Sequence, residues 1–226
     1  MSGVGKTTGA RAAARHYDLW LYSLDSRTYA HAERLPEDSR TLDELWIERS
    51  PKQMADEFEA EAALRFPLVL EDLAAIPEDG APVLVDGPQL VPSLVQEPAL
   101  FLVASADLQR QLVAARGSFT YARTRDPDRA FANRVRRDEL LASRIREIAV
   151  EIRSVGETGP LVDAFVRRHT KEWLSRSDRG DVSSRRRAEN DRRLDQWRRY
   201  AAVEPRAREV SLDWPASAIV PDAPSS

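Results

Sequence analysis

Ser2-Gly-Val-Gly-Lys-Thr-Thr8 runs directly into Gly-Ala-Arg-Ala-Ala-Ala-Arg-His16, so a glycine-rich turn leads an alanine-rich helix. That arrangement suits a phosphate group. Small residues let consecutive backbone N–H groups wrap the anion, and the following helix directs its positive end at it. The pattern G-x-x-x-x-G-K-[ST] is met here apart from its leading glycine. Lys6 would neutralise the β- and γ-phosphates, and the Thr7 hydroxyl would ligate Mg²⁺. Gly3, Val4, Gly5, Lys6, Thr7 and Thr8 are therefore the candidate nucleotide-binding residues. The pattern's leading glycine would fall one place before Met1, together with the strand that feeds such a loop. The expectation is a native product beginning upstream, with about ten more residues holding that strand and the glycine. The rival reading is a chance Gly/Thr-rich start to an ordinary helix.

Outward from the loop, short apolar runs alternate with helical spacing. Leu19-Trp-Leu-Tyr-Ser-Leu24 reads as a strand with Asp25 at its carboxyl end. Leu42 to Ile76 is helical in period through Leu45, Met54, Phe58, Ala62 and Leu73, and Pro51 and Pro67 are expected to divide it into two or three helices. Pro82-Val-Leu-Val-Asp-Gly87 is the clearest strand, expected to be buried on both faces and stopped by Asp-Gly-Pro. Ala99-Leu-Phe-Leu-Val-Ala104 is another such run, with a helix following from about Asp107 to Arg116. Phe131 to Val150 reads as a helix, Val150 to Val155 as a weaker strand, and Pro160 to Leu174 as the last helix of the domain. Strands alternating with helices predict an α/β fold with a parallel sheet.

Three sets of side chains could carry chemistry beyond the loop. Asp86 ends an apolar strand, the position from which a carboxylate reaches a phosphate-bound Mg²⁺; the plain alternative is an Asp-Gly turn. Ligands of open α/β sheets lie beyond the carboxyl ends of the strands, so Asp25 should point into the cleft and orient an acceptor hydroxyl. The alternative for Asp25 is a helix N-cap. Arg27 and His31 follow it and could bind or cover a substrate. Arg116, the arginines of the polar connector, and Arg134 and Arg137 in the next helix could supply mobile positive charge to a departing γ-phosphate.

Bulk properties narrow the classes. The 226 residues carry a net charge of −3, so no general attraction to nucleic acid or acidic lipid follows. Cysteine is absent, which excludes disulfides, thiolate metal sites and a cysteine nucleophile. No apolar run approaches the roughly 18 residues a membrane span needs, and the N-terminus has no apolar signal core, so the cytoplasm is the default location. From Ser175 the composition turns Arg-rich, and Leu194, Trp197 and Tyr200 suggest a helix laying an apolar stripe on the domain with its arginines in water. Acidic residues interleaved among those arginines weigh against a nucleic-acid surface.

The order of glycine-rich loop, Asp-ended strand, Asp-Gly strand, further strand and helix, and Arg-rich connector resembles the nucleoside, nucleotide and shikimate-type kinases of the P-loop NTPase superfamily. The resemblance covers roughly residues 1 to 170 and is specific for the superfamily rather than for a family within it. It implies a three-layer parallel sheet with flanking helices, here lacking its first strand, over a kinase-like domain of residues 1–174 with a lid at about 117–137. A helical extension at 175–212 and a loose tail at 213–226 would follow. It further implies ATP with Mg²⁺ as phosphoryl donor, Thr7 and Asp86 at the metal, and a small hydroxylated or phosphorylated metabolite as acceptor. Two alternatives stay open: a nucleotide-binding regulatory module of NTPase type, and a degenerate relative without catalysis.

Overall fold

The computed structural model describes residues 4–96, 98–115, 123–176 and 184–193. Its elements follow the chain as α1 (Lys6–Tyr17), β1 (Trp20–Ser23), a 3₁₀ turn (Leu24–Arg27), α2 (Thr28–Ala32), a π-helical turn (Glu44–Glu48), α3 (Pro51–Ala74) and β2 (Val83–Asp86). The second half contributes β3 (Phe101–Ala104), α4 (Ala106–Ala115), α5 (Pro127–Ile145), β4 (Ala149–Ile152), a 3₁₀ turn (Val155–Glu157), α6 (Thr158–His169) and α7 (Lys171–Ser175). Residues 184–193 form a last helix, α8.

The fold is α/β, as expected, but the strands do not join into one sheet. β1 pairs in parallel with β2, Trp20 opposite Val83 and Ser23 opposite Asp86, and β3 pairs in parallel with β4, Phe101 opposite Ala149. These are two separate two-stranded ladders. Helices cover both faces of the first. Leu19 and Leu21 pack with Ala10, Ala13 and Ala14 of α1, Val162 and Val166 of α6 and Trp173 of α7, and Leu102, Ala104 and Ile152 join the same core. The alternate residues Trp20 and Tyr22 turn the other way, onto Phe66, Val69 and Leu73 of α3. The period of 2 in β1 thus distributes its side chains between two apolar layers.

β2 departs from expectation. Instead of being buried on both faces it leaves Val83 38% exposed and Leu84 and Val85 only partly covered. These three residues line a cavity of about 710 Å³.

α3 is also a correction. The Leu42–Ile76 stretch divides once, at Pro51, into a helical turn ending at Glu48 and α3; what is corrected is the break at Pro67, which lies inside one continuous helix of 24 residues. A proline within a helix forfeits one hydrogen bond and costs about 3 kcal/mol. Here the next two residues, Leu68 and Val69, are buried, and tertiary packing holds the helix together across the proline. Pro51 opens the helix, where its missing N–H is harmless, behind a reciprocal capping box between Ser50 and Gln53.

The start of α8 lies against β1 through polar contacts. Asn190 Nδ2 donates to the Leu19 carbonyl and its Oδ1 accepts the Leu21 N–H, each at close to 3 Å (2.9 and 3.0 Å), so one side chain satisfies the outer edge of β1. Arg186 is 1% exposed, paired with Asp18 at 2.5 Å and Asp79 at 2.9 Å and lying over the Trp20 and Trp173 rings. The sequence placed the arginines of this extension in water, and Arg186 contradicts that. Leu194, Trp197 and Tyr200 lie outside the described residues, as does the 213–226 tail.

Candidate functional site

Gly5 sits at the N-cap of α1 with φ of 81°, a left-handed conformation that glycine adopts freely. Its Cα is also crowded: a Cβ there would stand 3.2 Å from Val155 and 3.7 Å from Thr158. The loop is anchored from the far end of the chain, because the buried Thr158 hydroxyl donates to the Val4 carbonyl. Neither Val155 nor Thr158 carries a recognisable signal in the sequence.

Thr7 Oγ1 donates to Asp86 Oδ2 at 2.6 Å across 79 positions of sequence. The hydroxyl and carboxylate expected to share a metal ion are therefore in contact. Asp86 is 6% exposed at the carboxyl end of β2. Burial pushes its pKa up, while the Thr7 hydrogen bond and the Lys6 ammonium pull it down. Lys6 follows the loop and, with Asp86 and Gly87, is among the residues that line a cavity.

Asp25 belongs to the same cluster. It lies inside the 3₁₀ turn that ends β1, one residue past the first turn position, and the N-cap of that turn is Ser23. The capping alternative for Asp25 is thus not what the fold uses. Burial of its carboxyl, and then the nearby Asp86 carboxylate, push its pKa up to about 6, against the opposing pull of Lys6 and Arg65. Asp25, Asp86 and Lys6 feel one another, two carboxylates and one ammonium at the carboxyl ends of adjacent strands.

Gly87 makes that adjacency possible. A Cβ on it would lie 2.6 Å from the Leu24 Cβ, so the strand end and the Asp25 turn approach too closely for any side chain.

The residues after Asp25 are committed to a network rather than open to a ligand. Arg27 forks onto Asp72 at 2.8 and 3.1 Å, Tyr22 donates to it at 2.8 Å, and His31 Nε2 lies 2.9 Å from it. His31 is 1% exposed, and burial drives its pKa down, so the ring is neutral. Its Nδ1 accepts from Arg65 Nε at 2.8 Å, which leaves Nε2 as the N–H that donates to Asp72. Arg65, buried on α3, also reaches Gln89 at 2.6 Å and the Leu24 carbonyl, bracing the turn that carries Asp25. Sequence periodicity marks α3 as a helix but gives no hint that Arg65 faces inward.

Arg134 and Arg137 lie well inside α5, not at its start. Both pair with the buried Asp138, at 3.2 and 2.7 Å, and both stack on Trp46 at 5.4 Å. Burial alone would raise the Asp138 pKa, but the two guanidiniums hold it well below the ordinary carboxylate range. Gly3, Arg116 and the first part of the expected lid (117–122) lie outside the described residues, and its remainder from Pro127 is the beginning of α5.

A metal ion would have to be held with help from a ligand. Among the described residues no cluster of three or more His, Cys, Asp or Glu side chains could form a cage. Magnesium commonly binds through one or two carboxylates plus substrate phosphates, and the hard oxygens of Thr7 and Asp86 suit that mode. No helix among the described residues is long and apolar enough to cross a membrane. No family model, curated protein or solved structure matches the chain.

Proposed function

We propose that the chain is an ATP-dependent phosphotransferase of the P-loop kinase type, acting on a small hydroxylated or phosphorylated metabolite. The observation that carries this reading is the 2.6 Å contact between Thr7, at the start of a helix behind a left-handed glycine, and Asp86, at the end of a parallel strand. A chance Gly/Thr-rich segment has no reason to place its threonine on that carboxylate.

In this reading the backbone amides of the Gly3–Thr8 loop and the Lys6 ammonium hold the triphosphate, and Thr7 and Asp86 hold the magnesium ion. A magnesium ion held by these two side chains would supply positive charge against the phosphates. Asp25 orients the acceptor hydroxyl. The acceptor oxygen forms a bond to the γ-phosphorus as the bond to the β–γ bridging oxygen breaks, ADP leaves, and the hydroxyl proton passes to the Asp25 carboxylate. A pKa of about 6 leaves Asp25 mostly ionised at neutral pH and still basic enough to take that proton. Little covalent chemistry is asked of the protein, so rate comes from positioning and charge. Arg134 and Arg137, expected from the sequence to close over the phosphates, instead hold α5 against Trp46 in this reading.

The test is ADP release from ATP·Mg²⁺ in the presence of pooled metabolites. Acceptor-stimulated release supports the kinase. Binding with negligible turnover would instead point to the regulatory module, and absence of binding to the degenerate relative.

A further inference from the structure

The turn after β1 and the segment after β2 are joined by one side chain of α3. Arg65 donates through one terminal nitrogen to the carbonyl of Leu24, the residue before Asp25. Through the other it donates to Gln89 Oε1 at 2.6 Å, on the segment that follows Asp86. Its Nε–H is taken up by His31 Nδ1 at 2.8 Å. These three acceptors are uncharged, and Arg65 is buried. A guanidinium holds its donors in a rigid planar fork, so fixing all three nitrogens fixes the plane on which the two segments meet.

We propose that Arg65 is the positioning residue that sets the Asp25 turn against the segment following Asp86, and that it keeps this place only while His31 is unprotonated. A neutral imidazole nitrogen accepts a hydrogen bond through its lone pair, and a protonated one can only donate. His31 Nε2 carries the N–H that faces Asp72 at 2.9 Å, so Nδ1 holds the lone pair and is the atom that would take a further proton. With that proton in place the ring and Arg65 would meet as two donors and two positive charges. Arg65 would lose the contact that orients its plane, and the two segments would lose their common tie.

The surroundings of His31 favour this response. Arg65 and Asp72 face it from α3, and Arg27 from the 3₁₀ turn and Tyr22 from β1 meet it at the shared Asp72 carboxylate. Burial of the ring lowers its pKa from 6.5, the Asp72 hydrogen bond opposes that, and the Arg65 and Arg27 charges add to it. Asp72 is not free to serve an imidazolium alone, because Arg27 and Tyr22 bond to the same carboxylate. A lowered folded-state pKa means that the neutral ring stabilises the fold. That contribution is complete above the unfolded value of 6.5 and is lost as pH falls through the lower folded value. The bearing on catalysis rests on the kinase reading, in which Asp25 orients the acceptor; the tie between the two segments does not.

The experiment is an NMR titration of the full chain without nucleotide, so its outcome is independent of the kinase reading. Asp25→Asn serves as the parent, because it removes a carboxyl whose own titration would reach the same signals. Three signals are followed from about pH 8 downward: the His31 ring nitrogens, the Gln89 side-chain amide, and the backbone N–H of position 25, which shares a peptide group with the Leu24 carbonyl. At the start the ring should carry its proton on Nε2 alone. As pH falls, both amides should shift with the midpoint of the ring. Adding His31→Asn, whose amide oxygen can accept from Arg65 and does not titrate, should abolish both shifts. Adding Arg65→Met instead should raise the His31 midpoint, since a neighbouring cation is gone, and uncouple both amides from it. A proton on Nδ1 at the start, a ring that stays neutral until the chain unfolds, or amides that do not follow its midpoint would each overturn the proposal. Should any of these variants not fold, the Gln89 side-chain amide and the His31 ring of the unsubstituted chain decide by the same criterion of a shared midpoint. Common titration without acceptor-stimulated ADP release would refute the kinase reading and leave the tie standing.

Discussion

Replacing Asp25 by asparagine should stabilise the protein at neutral pH, against the usual direction for a change at a buried polar position. The carboxyl pKa rises from 3.8 to about 6, chiefly because burial disfavours its charge and secondarily because Asp86 repels it. A raised folded-state pKa means that the protonated carboxyl stabilises the fold. That contribution is complete below the unfolded-state pKa and is lost as pH rises through 6. Two pK units correspond to about 3 kcal/mol, so the ionised Asp25 costs the fold about that much at pH 8. Asparagine has nearly the same shape and cannot ionise. The stability advantage of Asp25→Asn over the parent should therefore grow by about 2–3 kcal/mol between pH 4.5 and pH 8, or by roughly 6–10 °C in Tm for a chain of this size. Urea unfolding of both proteins at the two pH values measures it. In an Asp86→Asn background the gain should shrink, since one of the two causes has been removed. An advantage that is the same at both pH values would refute the account of Asp25 as a desolvated carboxylate facing Asp86. Loss of phosphoryl transfer in the same variant would be a separate result, bearing on the kinase reading alone.

Lys6→Ala should weaken ATP binding about 100-fold or more by calorimetry with Tm unchanged, because the lost contacts are charge-assisted ones to phosphate; an unchanged Kd removes Lys6 from the site. Gly87→Ala should destabilise by about 1–3 kcal/mol in denaturant unfolding through collision with the Leu24 Cβ; an unchanged midpoint would refute the close approach. Arg186→Ala should cost about 3–5 kcal/mol, because it strands the partly buried Asp18 and Asp79 carboxylates; a change under 1 kcal/mol would mean that α8 does not hold β1 in solution.

The sequence announces what depends on local pattern and conceals what depends on distant contact. Leu19–Leu24, Pro82–Gly87 and Ala99–Ala104 stand out as strands because each is a short apolar run with an abrupt polar stop, and each contains a strand of the structure. The glycine-rich turn ahead of α1 is legible because its residues are neighbours in sequence, and Gly5 holds a φ of 81° there. Pro67 misleads, since a local helix breaker yields to the burial of Leu68 and Val69, which no window of sequence reveals. Arg65, Arg186 and Asn190 are missed for a related reason. Each is a polar residue whose partners lie far off in the chain, such as Gln89, Asp79 and Leu19, and polar residues are by default assigned to water. Arg134 and Arg137 are read as mobile charge because Trp46, the ring both of them stack on, lies some ninety positions earlier.

The placement of Asp25 and Asp86 argues against an accidental loop. Two carboxylates at neighbouring strand ends, both with raised pKa values, destabilise a fold that could have carried asparagine or serine in either place. Structural carboxylates elsewhere in this chain are treated differently. Asp72 receives hydrogen bonds from Arg27, Tyr22 and His31, and Asp138 sits between two guanidiniums, so both have lowered pKa values despite their burial. The fold therefore has the means to neutralise a buried acid and does so at two sites. At Asp25 and Asp86 the compensation comes from the Lys6 ammonium, the Thr7 hydroxyl and, for Asp25, the Arg65 guanidinium, and it is insufficient to reverse the shift. A cation arriving with a polyphosphate would lower both pKa values together. The electrostatic deficit and the phosphate-binding pattern thus converge on the same few ångströms, a coincidence that a packing role for either carboxylate leaves unexplained.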